Sequence, residues 1–117
     1  MATDSRQQFV TALRSRFNRE QDFQMYLGAL DAVIDALLQH QRSTNQVEML
    51  TMEQFSSAFT SLSRQDPIWR ERANLLGDLT QVYLEKDIRK AETLARVMAN
   101  LYYEAVFAER MGSRNAD

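Results

Sequence analysis

Apolar residues recur every three or four positions along most of this 117-residue chain, which is the spacing of amphipathic α-helices. Ser5 and Gln8 have the form of a capping box and predict a first helix, whose apolar face would be Phe9, Val10, Leu13 and Phe17. After a change of phase near residues 18–20, a second helix carries Phe23, Tyr26, Leu27, Leu30, Val33, Ile34, Leu37 and Leu38 on one face. This helix is expected to end at the short polar side chains of residues 42–45.

The middle of the chain contains signals for two further helix starts. Thr51 and Gln54 form a second candidate capping box, and Asp66 before Pro67 is typical of an N-cap followed by the first helical residue. The helix after Thr51 is predicted to turn inward Met52, Phe55, Phe59 and Leu62. In the helix after Asp66, the apolar side chains fall within one arc of about 140° on the helical wheel. They are Ile68, Trp69, Leu75, Leu76, Leu79, Val82 and Tyr83.

The apolar stripe shifts around the helix after Leu84, which leaves two interpretations of the C-terminal third. Either the helix breaks near residues 85–87 and Asp87 caps a new one, or a single helix runs from Pro67 to Met111. We expect a break, because 45 uninterrupted residues would span about 68 Å. Gly112 is expected to end the last helix, with a frayed tail after it.

Composition supports an all-α fold, since the chain has three Gly, one Pro and 44% apolar residues. We therefore predict a compact bundle of four to five helices with a long C-terminal helix. A single domain would cover residues 1–117, with an ordered core over about 5–111. The N-terminus lacks the pattern of a secretory signal and no stretch is apolar enough to span a membrane, so a cytoplasmic protein is expected.

Few residues are suited to catalysis. The chain has no cysteine and one histidine, His40, which lacks the Glu-x-x-His spacing of metal sites in helical bundles. Asp31 and Asp35 share a helix face and are interpreted as solvated. The expectation is a non-enzymatic protein with no cofactor, no metal and no small-molecule substrate.

The formal charge of −2 gives no overall attraction to nucleic acid or to an anionic membrane. The first helix is locally basic, with Arg6, Arg14, Arg16 and Arg19. It could contact a phosphate backbone or a membrane surface. A solvated flank with arginine stems lying along the apolar face is the favoured interpretation.

The stretch LGALDAVIDALLQHQR from Leu27, followed later by DPIWRE from Asp66, resembles the all-helical chorismate mutases over Leu27 to Leu76. That resemblance implies an arginine in the first helix of the motif and a catalytic lysine further on. Gly28 stands at the arginine position, and residues 51–63 contain no basic residue at the place of the lysine. A degenerate mutase-like helical protein is therefore kept as an alternative.

The C-terminal helix has two apolar seams rather than one. The first contains Ile88, Ala91, Ala95, Met98, Tyr102 and Ala105, and the second contains Leu94, Val97, Leu101 and Ala108. Tyr103 and Phe107 lie on the remaining side, near Arg96 and Arg110. Either this helix is central and covered on all sides, or the second seam and the two aromatic residues meet another molecule.

The second interpretation gives the predicted interface, formed by Leu94, Val97, Leu101, Tyr103, Phe107, Arg96 and Arg110. The chain is then a small interaction protein and a homodimer. It would sequester or inhibit a larger bacterial protein partner, in the manner of an antiactivator of a transcription factor. The alternative is a structural subunit of a larger assembly, such as phage or secretion machinery.

Overall fold

Side-chain caps set most of the helix starts. The structure is a computed structural model that describes the backbone of residues 5–115 and the side chains of residues 5–109. In this part of the chain there are five helices and no strand: α1 (Ser5–Arg14), α2 (Glu20–Ser43), α3 (Met52–Gln65), α4 (Pro67–Tyr83) and α5 (Ile88–Asn115). The predicted all-α bundle with a long C-terminal helix is confirmed.

Two local signals in the middle of the sequence act as expected. Thr51 and Gln54 form a reciprocal capping box at the start of α3. The carboxylate of Asp66 accepts hydrogen bonds from the backbone N–H groups of Ile68 and Trp69, with Pro67 as the first residue of α4. These bonds satisfy donors that have no partner within the helix.

The predicted break between α4 and α5 is also confirmed. Helix α4 ends at Tyr83, and Asp87 accepts hydrogen bonds from the backbone N–H groups of Arg89 and Lys90 at the start of α5. The prediction that Gly112 ends this helix is wrong, because α5 continues to Asn115. Glycine lowers helix propensity by about 1 kcal/mol but keeps its N–H donor, so the helical hydrogen bonds can continue through it.

The helices form two layers. Helices α2, α4 and α5 pack against one another, α1 packs against α2 and α5, and α3 packs against α4 and α5. Helix α5 therefore lies over the groove between α2 and α4, with α1 on one side and α3 on the other. The smallest dimension of the molecule is 21 Å, about two helix diameters. A helix in a two-layer structure keeps one face directed outward.

The core follows the predicted apolar face of α2, in which seven of the eight residues are buried and Leu27 is half-buried. Trp69 anchors α4 in this core, with 2% of its surface exposed. Met52 is an exception to the predicted inward face of α3, because it lies at the first turn and is exposed. None of the helices in the described part of the chain combines the length and the apolar character of a membrane span.

Candidate protein-interaction surface

The outward face of α5 carries a row of apolar side chains that remains open to solvent. Val97 and Leu101 are each 46% exposed, Leu94 is half-buried and Ala108 is exposed. These residues are three, four and seven positions apart, so they share one side of the helix. We call Leu94, Val97, Leu101 and Ala108 the α5 stripe. It is the second seam of the sequence analysis, and it is accessible in the single chain.

The first seam of α5 faces the interior. Ala91, Ala95, Met98 and Tyr102 are buried, and Ala105 is half-buried. Ile88, which the sequence places in the same seam, is exposed at the first turn. Helix α5 thus contacts all four other helices and still presents the α5 stripe outward. Because those contacts fix the helix, the stripe is held on a rigid element.

Tyr103 does not belong to the surface, so the prediction that it is exposed is wrong. It is fully buried, with its ring against Phe55 of α3. Its hydroxyl donates a hydrogen bond to Gln41 Oε1 and accepts one from the backbone N–H of Leu50. Burial removes water from the phenol and raises its pKa above the ordinary value of 10.0. Tyr103 is therefore a polar anchor between α5, the end of α2 and the loop that follows it.

The other predicted members of the interface divide between two environments. Phe107 is half-buried and lies against Tyr103, with 5.8 Å between the ring centroids. Arg96 is exposed, but it lines a groove of about 240 Å³ with residues of α3 and α4, about 100° around α5 from Val97. The side chain of Arg110 lies outside the described residues. The accessible part of the predicted set is therefore centred on Val97 and Leu101.

A second exposed apolar row runs along α4, where the sequence predicted core residues. Ile68, Leu75 and Val82 are 62%, 51% and 69% exposed, and they are seven residues apart. We call these three residues the α4 stripe. The predicted arc of about 140° was correct as a pattern, but only its other side, including Trp69, Leu76 and Leu79, is covered.

The α4 stripe is separate from the part of α4 that faces Ala95 of α5. Ala73 and Gly77 line the groove that α4 shares with Ala95 of α5. Each lies two residues from Leu75, which corresponds to about 200° around the helix. Leu75 is therefore not on the part of α4 that faces Ala95. The molecule has two separate exposed apolar stripes, one on α4 and one on α5.

Some of the arginines that were predicted on the first helix have hydrogen-bond or ion-pair partners within the chain. Arg6 donates a hydrogen bond through Nε to the hydroxyl of Tyr102, and that hydroxyl donates one to Asp31. Arg14 pairs with Glu20 at 3.2 Å and lies over the ring of Phe23. Asp31, interpreted from sequence as solvated, instead helps attach α1 to α2 and α5. Arg6 and Arg14 therefore have structural partners. Arg16 and Arg19, which were predicted on the first helix, follow the end of α1 at Arg14.

The remaining candidates for chemistry are dispersed. His40 is exposed at the end of α2, and the described residues contain no group of three or more His, Cys, Asp or Glu side chains that could hold a metal ion. Gly28, at the position where the mutases would have a substrate-binding arginine, lies on the exposed face of α2. A Cβ atom built there would meet nothing within 4 Å. That position faces away from the interior of the bundle.

Comparison with known proteins gives no match: no family model, curated protein or solved structure is similar to the chain.

Proposed function

We propose that this chain is a small non-enzymatic interaction protein that binds a larger protein through the α5 stripe and thereby sequesters or inhibits it. The observation that carries the proposal is the exposure of Val97 and Leu101, 46% each, one turn apart on a helix that is fixed by all four of the others. Exposed apolar side chains in a row on a rigid helix suit the groove of a partner protein.

Burial of the stripe against a partner can drive association. If the contact removes about 400 Å² of apolar surface from water, counted over both proteins, the transfer contributes about 10 kcal/mol before the entropic cost of binding is subtracted. Anchors of this kind work best at the centre of a contact, surrounded by polar residues that exclude water. The α5 stripe has that arrangement, since Thr93 and Glu104 border Val97 on the same helix.

The test is a comparison of two matched variants, Leu101→Lys in the α5 stripe and Leu75→Lys in the α4 stripe. Both leucines are about half exposed, at 46% and 51%, and both have acidic neighbours three or four residues away. Neither change should therefore unfold the protein, which circular dichroism and thermal melting would check. Immobilised wild-type and variant proteins are then used to capture partners from a lysate of the source cells.

The proposal predicts that Leu101→Lys loses the protein that the wild type captures, whereas Leu75→Lys retains it. Capture that survives Leu101→Lys but is lost with Leu75→Lys would move the binding surface to α4. Capture that survives both changes would reject an apolar helix face as the binding surface.

A second candidate function, a structural subunit of a larger assembly, is favoured by the two separate apolar stripes. A chain with two such stripes can bridge two neighbours. This candidate predicts that Leu101→Lys and Leu75→Lys each prevent the next chain from adding at one of the two stripes. Mixing either variant with the wild type should then give smaller assemblies by light scattering. The regulator proposal predicts no extended assembly.

A further inference from the structure

Two residues of opposite charge flank the central part of the α5 stripe, Leu94 to Leu101. Lys90 lies seven residues before Val97 and Glu104 lies seven residues after it. Seven residues are nearly two full turns, so both charged side chains lie on the same side of α5 as the stripe. Lys90 is exposed and Glu104 is half-buried. The ion pairs within the described residues, Arg6 with Asp31 and Arg14 with Glu20, involve neither of them.

We propose that a second copy of this chain occupies the α5 stripe, packed antiparallel about a two-fold axis near Val97. This inference rests on the proposed function, because it names one occupant of the same surface. In an antiparallel pair the Lys90 end of each helix lies beside the Glu104 end of the other. A parallel pair would instead place lysine opposite lysine and glutamate opposite glutamate, which is unfavourable.

The two-fold arrangement also matches the apolar residues. An axis near Val97 brings Val97 of the two copies together and places Leu101 of each copy beside Leu94 of the other, so the side chains left open in one chain cover each other. The shared segment, from Lys90 to Glu104, is about 21 Å long. A contact between two helices of this length buries less than the roughly 800 Å² per partner of a standard interface. The dimer is therefore reversible and depends on concentration.

The consequence for regulation is competition. Because self-association and partner binding use Val97 and Leu101, a chain in the dimer cannot hold its partner through the same stripe. Dimerisation at high concentration stores the protein, and dilution or partner binding releases the monomer.

Charge exchange tests the arrangement. Lys90→Glu gives a chain with two acidic ends and Glu104→Lys gives one with two basic ends, so both variants should fold but pair poorly with themselves. Sedimentation velocity over a concentration series should show the dimer dissociation constant raised by about tenfold for each variant. An equimolar mixture of the two variants should form a mixed dimer with about the wild-type dissociation constant, because both ends of the mixed pair are then complementary in charge. Glu71→Lys, the same charge change at an exposed position of α4, is the control and should have no effect.

The double variant Lys90→Glu/Glu104→Lys distinguishes antiparallel from parallel pairing. In the antiparallel arrangement it dimerises with itself as well as the wild type does, and it does not mix with the wild type. High salt should reduce the differences among all variants, since the charges are near the surface. Preferential mixing of the double variant with the wild type, or single variants that dimerise unchanged, would overturn the inference. A wild type that stays monomeric at all concentrations would overturn it as well.

Failure of the inference and failure of the proposed function can be told apart. If Lys90→Glu and Glu104→Lys leave self-association unchanged while Leu101→Lys abolishes partner capture, the second copy is rejected and the binding surface stands. If Leu101→Lys changes neither mass nor capture, the α5 stripe itself is rejected.

Discussion

At the scale of single residues, the indole of Trp69 is held by both packing and hydrogen bonds. Its Nε1–H is within hydrogen-bond distance of the carbonyl oxygen of Phe59, at 3.2 Å, and of Ser63 Oγ, at 3.1 Å. The ring of Phe59 meets the indole edge to face. These contacts join α3 to α4 across the short turn between them, so the ring and the N–H group contribute separately.

We expect Trp69→Ala to lower the free energy of unfolding by about 3–5 kcal/mol, because it leaves a large cavity in the core. Trp69→Phe retains most of the ring volume and should cost less, about 1–3 kcal/mol, largely from the polar atoms left without the N–H donor. Urea denaturation followed by circular dichroism measures both. Equal losses for the two variants would show that packing of the six-membered ring contributes little.

Three buried tyrosines connect the helices through their hydroxyl groups. Tyr26 donates to Thr80 Oγ1, whose own proton goes to the carbonyl oxygen of Leu76. Tyr102 donates to Asp31 and Tyr103 to Gln41. In all three, desolvation by burial is the main cause that raises the pKa above the ordinary value of 10.0. Ionisation would remove the proton that each donates.

These shifts predict a loss of stability in alkali. The folded state keeps its phenol protons at a pH where the unfolded chain releases them, so the free energy of unfolding should be constant below about pH 9 and fall above pH 10. Urea titrations between pH 7 and pH 11 measure this, with tyrosinate absorbance recorded alongside. Stability that stays constant to pH 11 would contradict the burial of these hydroxyl groups. Tyr26→Phe should reduce the pH dependence above pH 10.

At the scale of helices, α4 depends on its cap. The Asp66 carboxylate accepts two backbone N–H groups, and the cap is also the turn that places Trp69. Asp66→Ala should lower the free energy of unfolding by about 1 kcal/mol, whereas Asp66→Asn, which can still accept those bonds, should lose less. Thermal melting of the two variants checks the difference. An alanine variant as stable as the wild type would show that packing alone sets the start of α4.

Helix boundaries could be predicted from sequence because a cap is made by residues two or three positions apart. Asp66 with Pro67 and Asp87 at the start of α5 are both of this kind. Tyr103 could not be placed in the same way, since its partners Gln41 and Leu50 are more than fifty residues away in the chain. A helical wheel gives the apolar arc but not the neighbours that cover it.

The same limit explains the stripe on α4. Its apolar arc includes Leu75 and Val82, but α2, α3 and α5 together cover only the side that carries Trp69 and Leu76. The width of an arc therefore indicates how much surface a helix could bury, and the packing of the other helices decides how much it does bury. For α5, two seams in the sequence correspond to one buried side and one open side.

At the scale of the whole molecule, the two-layer arrangement determines what the protein can present to others. Helices α4 and α5 each have an exposed apolar stripe, and the structure is only 21 Å thick, so a partner on either stripe lies close to the core helices. The α5 stripe belongs to the helix that contacts all the others, so a partner bound there contacts the helix that joins the bundle. The central claim is that this stripe, and not the one on α4, is the contact surface.

Hydroxyl-radical footprinting of side chains tests this claim most directly, because it reports the solvent accessibility of both stripes in the same sample. The protein is oxidised at low and at high concentration, and again with the captured partner. Our account predicts that Val97 and Leu101 lose reactivity in the concentrated and bound samples while Leu75 and Val82 keep theirs. Unchanged reactivity at Val97 and Leu101, with protection at Leu75 and Val82, would contradict it.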